Sequence, residues 1–578
     1  MYPILPTETL IETKTCRHCG VSFSITDKDI EFYDKVSPSF GGVKYQIPTP
    51  TLCPDCRLKR RLSFRNERTL YKRKCNATQK DIISVYSPDK SYKVYHQDYW
   101  WSDKWDAMDY GNDFDFNKSF FEQFEDLIKN VPSIALWAFQ WENAEYNNNC
   151  YKIKNSYMSY NSDLWEEYYY SYITENSNRI FDSSYIYNCE NCYQCTDLTD
   201  SFNCYFSSSI TDSSDCYFSS NLTNCKFCFW SHWLTNAEYV WFNKRISKDE
   251  WLKLFTENFI SENVNENINK SKKINLKVPK KYANIINCEN CVGDYIWNSK
   301  NIQYSYGIQK SENIKYTWYV VFWVNDVYDS YALWDVKLSY EANEWWVNIS
   351  RSAFIKNSME WLEKSFYTFF CWHNSSNLFW CIGLKNKSYC ILNKQYTKEE
   401  YEALAPKIIE HMRKAWEWGE FFPSSISPFG YNETVAQEYF PMTRTDAINC
   451  VSPDNKPIFN WSDYEAPFPR VEKVIPAAKL PEDIVKIPDD ILNWAIECEV
   501  TGKPFRIIKQ ELEFYRKHNL PIPRRHPDQR HLDRMALRNP RKLYERRCDK
   551  CEKDMMTTYS PERPERVYCE TCYNKEIY

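Results

Sequence analysis

Eight cysteines stand in two quartets with the spacing of metal knuckles. Cys16, Cys19, Cys53 and Cys56 form two Cys-x-x-Cys pairs near the start, and Cys548, Cys551, Cys569 and Cys572 do the same near the end. Four thiolates complete a tetrahedral Zn2+ shell with no open position, so two structural Zn2+ ions are expected and no catalytic one. Two further knuckles begin alike and fail. Thr501 stands where the partner of Cys498 should be, and His526 and Gln529 replace the following pair. After Cys75 come Thr78, His96 and Tyr99. Cys498 and His526 supply only two ligands, so packing around Phe505 and Phe514 is expected there instead of a third metal.

These four knuckles belong to one duplicated arm. "CRHCGVSFSITDKDIEFYDK" (16–35) and "CEVTGKPFRIIKQELEFYRK" (498–517) share eight of twenty positions; "CPDCRLKRRLSFRNERTLYKRKC" (53–75) and "HPDQRHLDRMALRNPRKLYERRC" (526–548) share 11 of 23. Each arm keeps one quartet and has lost the other. The stretch after "CPDC" lacks Gly and Pro and reads as a helix. Arg57, Arg61, Arg65 and Arg68 would share one of its faces, as would Arg530, Arg534, Arg538 and Arg541 in the second arm. Such a stripe suits a sequence-independent grip on nucleic-acid phosphates. It equally suits a solvated face paired with acids such as Glu67.

The elements between the arms repeat with a period of twelve. Residues 177–236 read "SNRIFDSSYIYN", "CENCYQCTDLTD", "SFNCYFSSSITD", "SSDCYFSSNLTN", "CKFCFWSHWLTN", with Ile180, Cys192, Cys204, Cys216 and Cys228 in one column and Ile186, Leu198, Ile210, Leu222 and Leu234 in another. Aligned apolar columns at a short fixed period indicate a solenoid of parallel strands. The period alone leaves a coil of 12 or of 24 residues open. The Cys pairs 189/192, 225/228 and 288/291 share columns with Ser201, Ser213 and Val240, so they read as core fillers rather than ligands. A second block starts near 299, with Tyr304, Tyr316, Tyr328 and Tyr340 as an expected ladder. Both blocks end alike, in "LTNAEYVWFNKRISKDEW" and "LKNKSYCILNKQYTKEEY", each followed by an expected capping helix.

The expected fold is therefore mixed and β-rich, a central parallel β-solenoid with duplicated treble-clef or zinc-ribbon arms. Its divisions are a first arm over 1–99, an acidic loop and helix over 100–144, solenoid blocks over 145–260 and 281–415, a Pro-rich connector over 416–490, and a second arm over 491–578. "PEDIVKIPDDILNWAIE" reads as a short helix leading into the last arm.

The totals exclude several classes. A net charge of −5 over 578 residues does not mark the whole chain as a nucleic-acid binder. No signal pattern and no run of membrane-spanning length occurs, so a cytoplasmic location is expected, with the 24 Cys serving metal and packing rather than disulfides. The 10 Gly and 23 Trp depart from ordinary usage, where Gly alone is about 7%. Trp233 aligns with Gly383, and Trp230 with Trp380, at coil corners where φ > 0 favours glycine. The pattern suggests UGA codons read as glycine in the source and written here as Trp, with Trp230, Trp233, Trp241, Trp318, Trp323, Trp380 and Trp416 as candidates. Trp100, Trp101, Trp105 and Trp461 read as genuine.

Together "RNERTLY", "YWWSDKWD", "FFEQF", "GEFFPSSISPFGYNETVAQEYFP", "WSDYEAPFP" and "PIPRRHPDQRHLDRMALRNP" make nearly the whole chain resemble a family of uncharacterised zinc-ribbon domain proteins of candidate-phylum, small-genome bacteria, some lineages of which read UGA as glycine. The resemblance implies zinc ribbons at the termini and no particular activity. "CEKD" from Cys551 departs from the CGK common in such ribbons.

Catalysis is not expected, because no phosphate loop or triad order appears. His526, Asp528, His531 and Asp533 would be the only hydrolase-like cluster, and two of them align with an ordinary knuckle. The expected class is a zinc-binding, non-catalytic binding or scaffold protein with no small-molecule cofactor and no membrane contact. Its partner would be a protein on the solenoid face or, alternatively, structured RNA on the Arg stripes.

Overall fold

A computed structural model describes residues 2–320, 322–343, 348–358, 360–452, 455–468 and 470–577. The solenoid is resolved into coils of twelve: Asn178 pairs with Glu190, Glu190 with Phe202, and Phe202 with Ser214, all in parallel register. Each coil contributes one strand to a nine-stranded sheet and one to an eight-stranded sheet. From Asn176 to Phe242 every third residue has φ between 47° and 61°. The residue after each such corner points inward. The coil is thus a square of four three-residue sides, lined by columns such as Cys192, Cys204, Cys216 and Cys228, all fully buried. Asn and Asp occupy many corners because they tolerate the left-handed region. Their amides also bond from coil to coil, as Asn176 to Asn188 (2.7 Å) and Asn188 to Asp200 (2.9 Å).

The second block builds one 14-stranded sheet with coils of 11 to 13 residues. One irregular coil breaks the expected tyrosine ladder. Tyr304 stacks on Tyr316, and Tyr328 pairs with Tyr340, but an extra residue puts Lys315, not Tyr316, opposite Tyr328. Each block ends in a strand that turns back antiparallel and in a capping helix, Lys248–Asn258 or Lys398–Lys414, N-capped by Ser247 and Thr397. The helix Phe120–Asn130 also forms as expected.

Two helical expectations need correction. The first arm helix is Pro54–Leu62 only, because Asn66 binds back to the Thr69 and Val85 carbonyls and Tyr71–Lys74 pairs with Asp81–Ser84. The stretch 481–497 holds two 3-10 turns, Ile484–Lys486 and Asp489–Asn493, then the strand Trp494–Glu497. Pro488 between the turns has no amide hydrogen to continue a helix.

Five of the seven Trp candidates (230, 233, 323, 380 and 416) have φ between 48° and 68°; Trp241 and Trp318 have ordinary backbones, as do Trp100, Trp101, Trp105 and Trp461. Trp165 and Trp361 join the positive-φ set without having been singled out. Phe and Tyr occupy other solenoid corners, so Trp416 is more telling. It lies outside the solenoid, 75% exposed with φ 60°, after the helix Lys398–Lys414. Glu417 N–H bonds to the Met412 carbonyl around it, the Schellman turn in which glycine is usual. Trp380 is fully buried with its Nε1 unpartnered and its ring centre 3.0 Å from that of Phe120. Stacked rings ordinarily stand about 4.5–7 Å apart.

Candidate metal centres and the cleft between the arms

All four knuckles have one backbone. The amides of Gly20, Gln79, Gly502 and Glu552 each bond to the carbonyl of the leading cysteine at 2.9 Å, and all four residues have positive φ, from 59° to 72°. The "CEKD" departure therefore leaves the turn intact, with Glu552 in the glycine conformation. Loss of the thiols did not change the turn either.

In the intact quartets every sulfur lies within 4.8 Å of the other three. Cys19 Sγ is 3.6 Å from Cys53 Sγ, and Cys551 Sγ is 3.7 Å from Cys569 Sγ. A metal–sulfur bond of about 2.3 Å gives a tetrahedron with edges of about 3.8 Å, so the donor sets fit a four-thiolate ion. The four thiols of each quartet differ in their hold on the proton. Hydrogen bonds from Cys53 and Cys56 hold Cys16 well below the usual thiol range, while contact with Cys16 pushes Cys53 up to about 12. Burial opposes ionisation of Cys548, but the amides of Cys569, Lys550 and Cys551 outweigh it and bring that thiol down to about 6.

The decayed knuckles replace metal with hydrogen bonds. Burial would raise Cys75 and Cys498, yet the hydroxyls of Thr78 and Thr501 and the amides of His96 and His526 lower both thiols. His96 Nδ1 and His526 Nδ1 accept from the amides of Asp98 (3.3 Å) and Asp528 (3.2 Å), capping the next helix. At the intact site Cys53 holds the same cap position with no side-chain cap bond, and its sulfur faces the quartet.

The Arg stripes turn inward, which corrects the expectation of a phosphate-gripping face. Arg57, Arg61 and Arg65 are at most 2% exposed. Arg57 and Arg61 clasp Asp329 at 2.8 and 3.6 Å; in the other arm Arg530 and Arg534 clasp Asp182, the latter at 2.9 Å. Arg65 pairs with Glu67 and Arg538 with Asp197, at 3.1 Å in the latter case. Arg60, outside the stripe, joins the first cluster through Glu341 (2.7 Å) and Glu420 (2.6 Å). Glu67 was within reach of local reading, but the other acid partners sit far away in sequence, so no local pattern announced them.

These contacts repeat across the molecule. Phe32 stacks on Tyr328 at 3.8 Å and its counterpart Phe514 on Phe181 at 3.8 Å; each ring precedes the clasped aspartate. Val94–Tyr95 pairs with Ser133–Ile134 at the start of the first solenoid, and Val567–Tyr568 with Lys280–Lys281 at the start of the second. The chain is a pseudo-two-fold duplication with crossed arms, each arm touching both solenoids. Both intact quartets belong to knuckles seated on the second solenoid, and both decayed knuckles sit on the first.

Between the solenoids and arms runs a cleft of about 1500 Å³. Thr199, Thr211, Thr223 and Thr235 form one wall at the coil spacing; Trp297, Gln309 and Phe322 stand on the other. Cys19, Cys53 and Cys56 edge it on one side, and Tyr573 of the last knuckle lines it too. No histidine among the described residues lines it, and His531 of the hydrolase-like cluster is instead buried against Glu438 (3.3 Å). Sequence reasoning missed the cleft, since its walls meet only when both arms cross. No helix among the described residues is long and apolar enough to cross a membrane. Comparison with protein-family models, curated proteins and solved structures gave no match.

Proposed function

We propose that this is a non-catalytic binding protein, with two structural Zn2+ ions fixing its arms and a ligand or partner seated in the cleft between its solenoids. The observation that carries the reading is the cleft itself, because both arms and both solenoids converge to make one polar and aromatic surface. Zinc is the favoured ion because four thiolates in a closed tetrahedron suit it and leave no position for substrate. Among the described residues the cysteines lining the cleft are those three of the first quartet, whose thiols the metal reading occupies, which leaves no free thiol there as the nucleophile of a hydrolase-like alternative.

Co-purification from the native cell tests this, with the wild type beside a cleft-filled variant carrying Ser209→Trp and Asn221→Trp. Metal analysis should give two zinc per chain in both. A partner or ligand retained by the wild type and lost from the filled variant is expected. The same set on both proteins would remove the cleft as the binding site.

A further inference from the structure

The pseudo-symmetry shows where the cleft lacks a bond that its counterpart has. Arg68 reaches across to Asp528 of the other arm (3.2 Å) and to Glu438 (3.7 Å). In the duplication Arg541 aligns with Arg68, and Asp55 with Asp528. Arg541 and Asp55 both line the cleft, yet they do not pair. Asp55 instead accepts from the Tyr2 hydroxyl at 2.6 Å. Among the described residues no carboxylate lies within ion-pair distance of Arg541. Its Nη2 donates to the Tyr185 hydroxyl (3.0 Å), and its Nη1 is buried without a hydrogen-bond partner.

The same guanidinium lies 4.8 Å from the ring centre of Tyr439 and 5.0 Å from that of Trp318. Trp318 packs on Tyr439 at 5.2 Å and stacks with Phe440 at 6.2 Å; Lys59 Nζ stands 5.4 Å from the Phe440 ring. Tyr439 meets Trp318 edge-to-face (74°) and Phe440 lies nearly parallel to it (17°), an aromatic cluster with a cation at each end. Among the described residues Lys59 and neighbouring Lys542 also have no carboxylate within ion-pair distance. The remaining cleft acids are mostly engaged: Asp197 by Arg538, Asp294 by the Thr558 hydroxyl (2.8 Å) and Asn284, and Glu438 by Arg68. Glu175 faces no cation, and burial holds its carboxyl above the usual range.

We propose that the cleft binds single-stranded nucleic acid, bases stacking on the half-buried rings of Tyr439 and Phe440 and its phosphates meeting Arg541 and Lys59. Aromatic rings open to a cleft beside cations without a carboxylate partner are the chemistry of single-strand binding. A neutral glycan would use the rings and leave the guanidinium unanswered. A lone nucleotide would underfill the space, since small-molecule sites occupy about 300–1000 Å³. The inference rests on the cleft reading above, and it assigns the contact to Arg541 and Lys59 rather than to a stripe.

The test is fluorescence anisotropy of a labelled oligo(U) RNA of about a dozen nucleotides. Measurements at about 50 and 200 mM salt are compared, with oligo(dT), duplex RNA and cellohexaose as competitors. Expected are saturable binding that weakens with salt, competition by either single strand, and no competition by duplex or sugar. Arg541→Gln should weaken binding roughly tenfold and lower the salt slope by about 0.7. Tyr439→Leu with Phe440→Leu should weaken it roughly 5- to 100-fold with zinc content unchanged. Absence of binding at low salt, affinity unmoved by both variants, preference for duplex, or competition by the sugar would each overturn the proposal. In those cases a native ligand still lost from the cleft-filled variant leaves the cleft reading standing, so the two failures are distinguishable.

Discussion

Replacing Asp329 with asparagine should detach the first arm from the second solenoid. Three guanidiniums (Arg57, Arg60 and Arg61) meet three carboxylates (Asp329, Glu341 and Glu420), so the cluster is formally neutral. Arg57, Arg61, Asp329 and Glu341 are at most 2% exposed, beyond the reach of solvent screening. Asp329→Asn leaves one uncompensated buried positive charge and removes the only carboxylate bonded to Arg57 among the described residues. Breaking a buried pair in this way costs about 3–5 kcal/mol. Because the arm is an edge unit, the cost should appear as local opening rather than global unfolding. Native-state hydrogen exchange over Pro54–Leu62 should accelerate roughly 10²- to 10³-fold, since each 1.4 kcal/mol is about tenfold. Pro527–Met535 in the other arm should keep its protection. Adding Arg57→Met restores neutrality and should recover most of the loss. A single variant costing under about 1 kcal/mol, or a double variant no better than the single, would refute the view that charge balance holds the arm.

Further outcomes follow from the knuckles and corners. Cys53→Ser should halve the bound zinc and free the first arm helix, as read by elemental analysis and exchange. Thr501→Cys, His526→Cys and Gln529→Cys together should create a third four-thiolate site, because the turn at Gly502 is already formed; three zinc per chain is the expected count. Burial pushes Lys280, at the seam with the last knuckle, down to about 8. Its folded value lies below the unfolded one, so its share of stability is full above about 10.5, the ordinary lysine value, and is lost as pH falls through 8. Protection at Val567–Tyr568 should accordingly rise over that window, and Lys280→Met should abolish the rise. If UGA is read as glycine in the source, the gene carries TGA at the codons for Trp380 and Trp416; TGG there would end that explanation.

The quartets and duplicated arms were legible in the sequence because cysteine spacing and repeated motifs survive without knowledge of neighbours. The solenoid was legible because its interior columns recur at one period, although only the register between strands decided for a 12-residue coil. The Arg stripes show where reading stopped. A face of four guanidiniums looks the same whether it meets phosphate or a buried aspartate, and Asp329 and Asp182 lie hundreds of residues from the arms that use them. The Tyr ladder failed for a smaller reason, a single inserted residue that slides one coil past the next. The cleft was invisible because no segment of the chain contains more than one of its walls.

The uneven survival of metal makes the two halves of the molecule unequal under zinc scarcity. With both quartets filled, a chelator would strip the clamps from one solenoid and find nothing to remove from the other, whose knuckles hold by Thr–Cys and His–amide bonds and by packing around residues such as Phe505 and Phe514. The contacts of the second solenoid would then rest on its buried ion pairs, such as Arg57 with Asp329, while those of the first would be unchanged. A ligand seated in the cleft, as proposed above, would then be held less firmly as zinc is withdrawn.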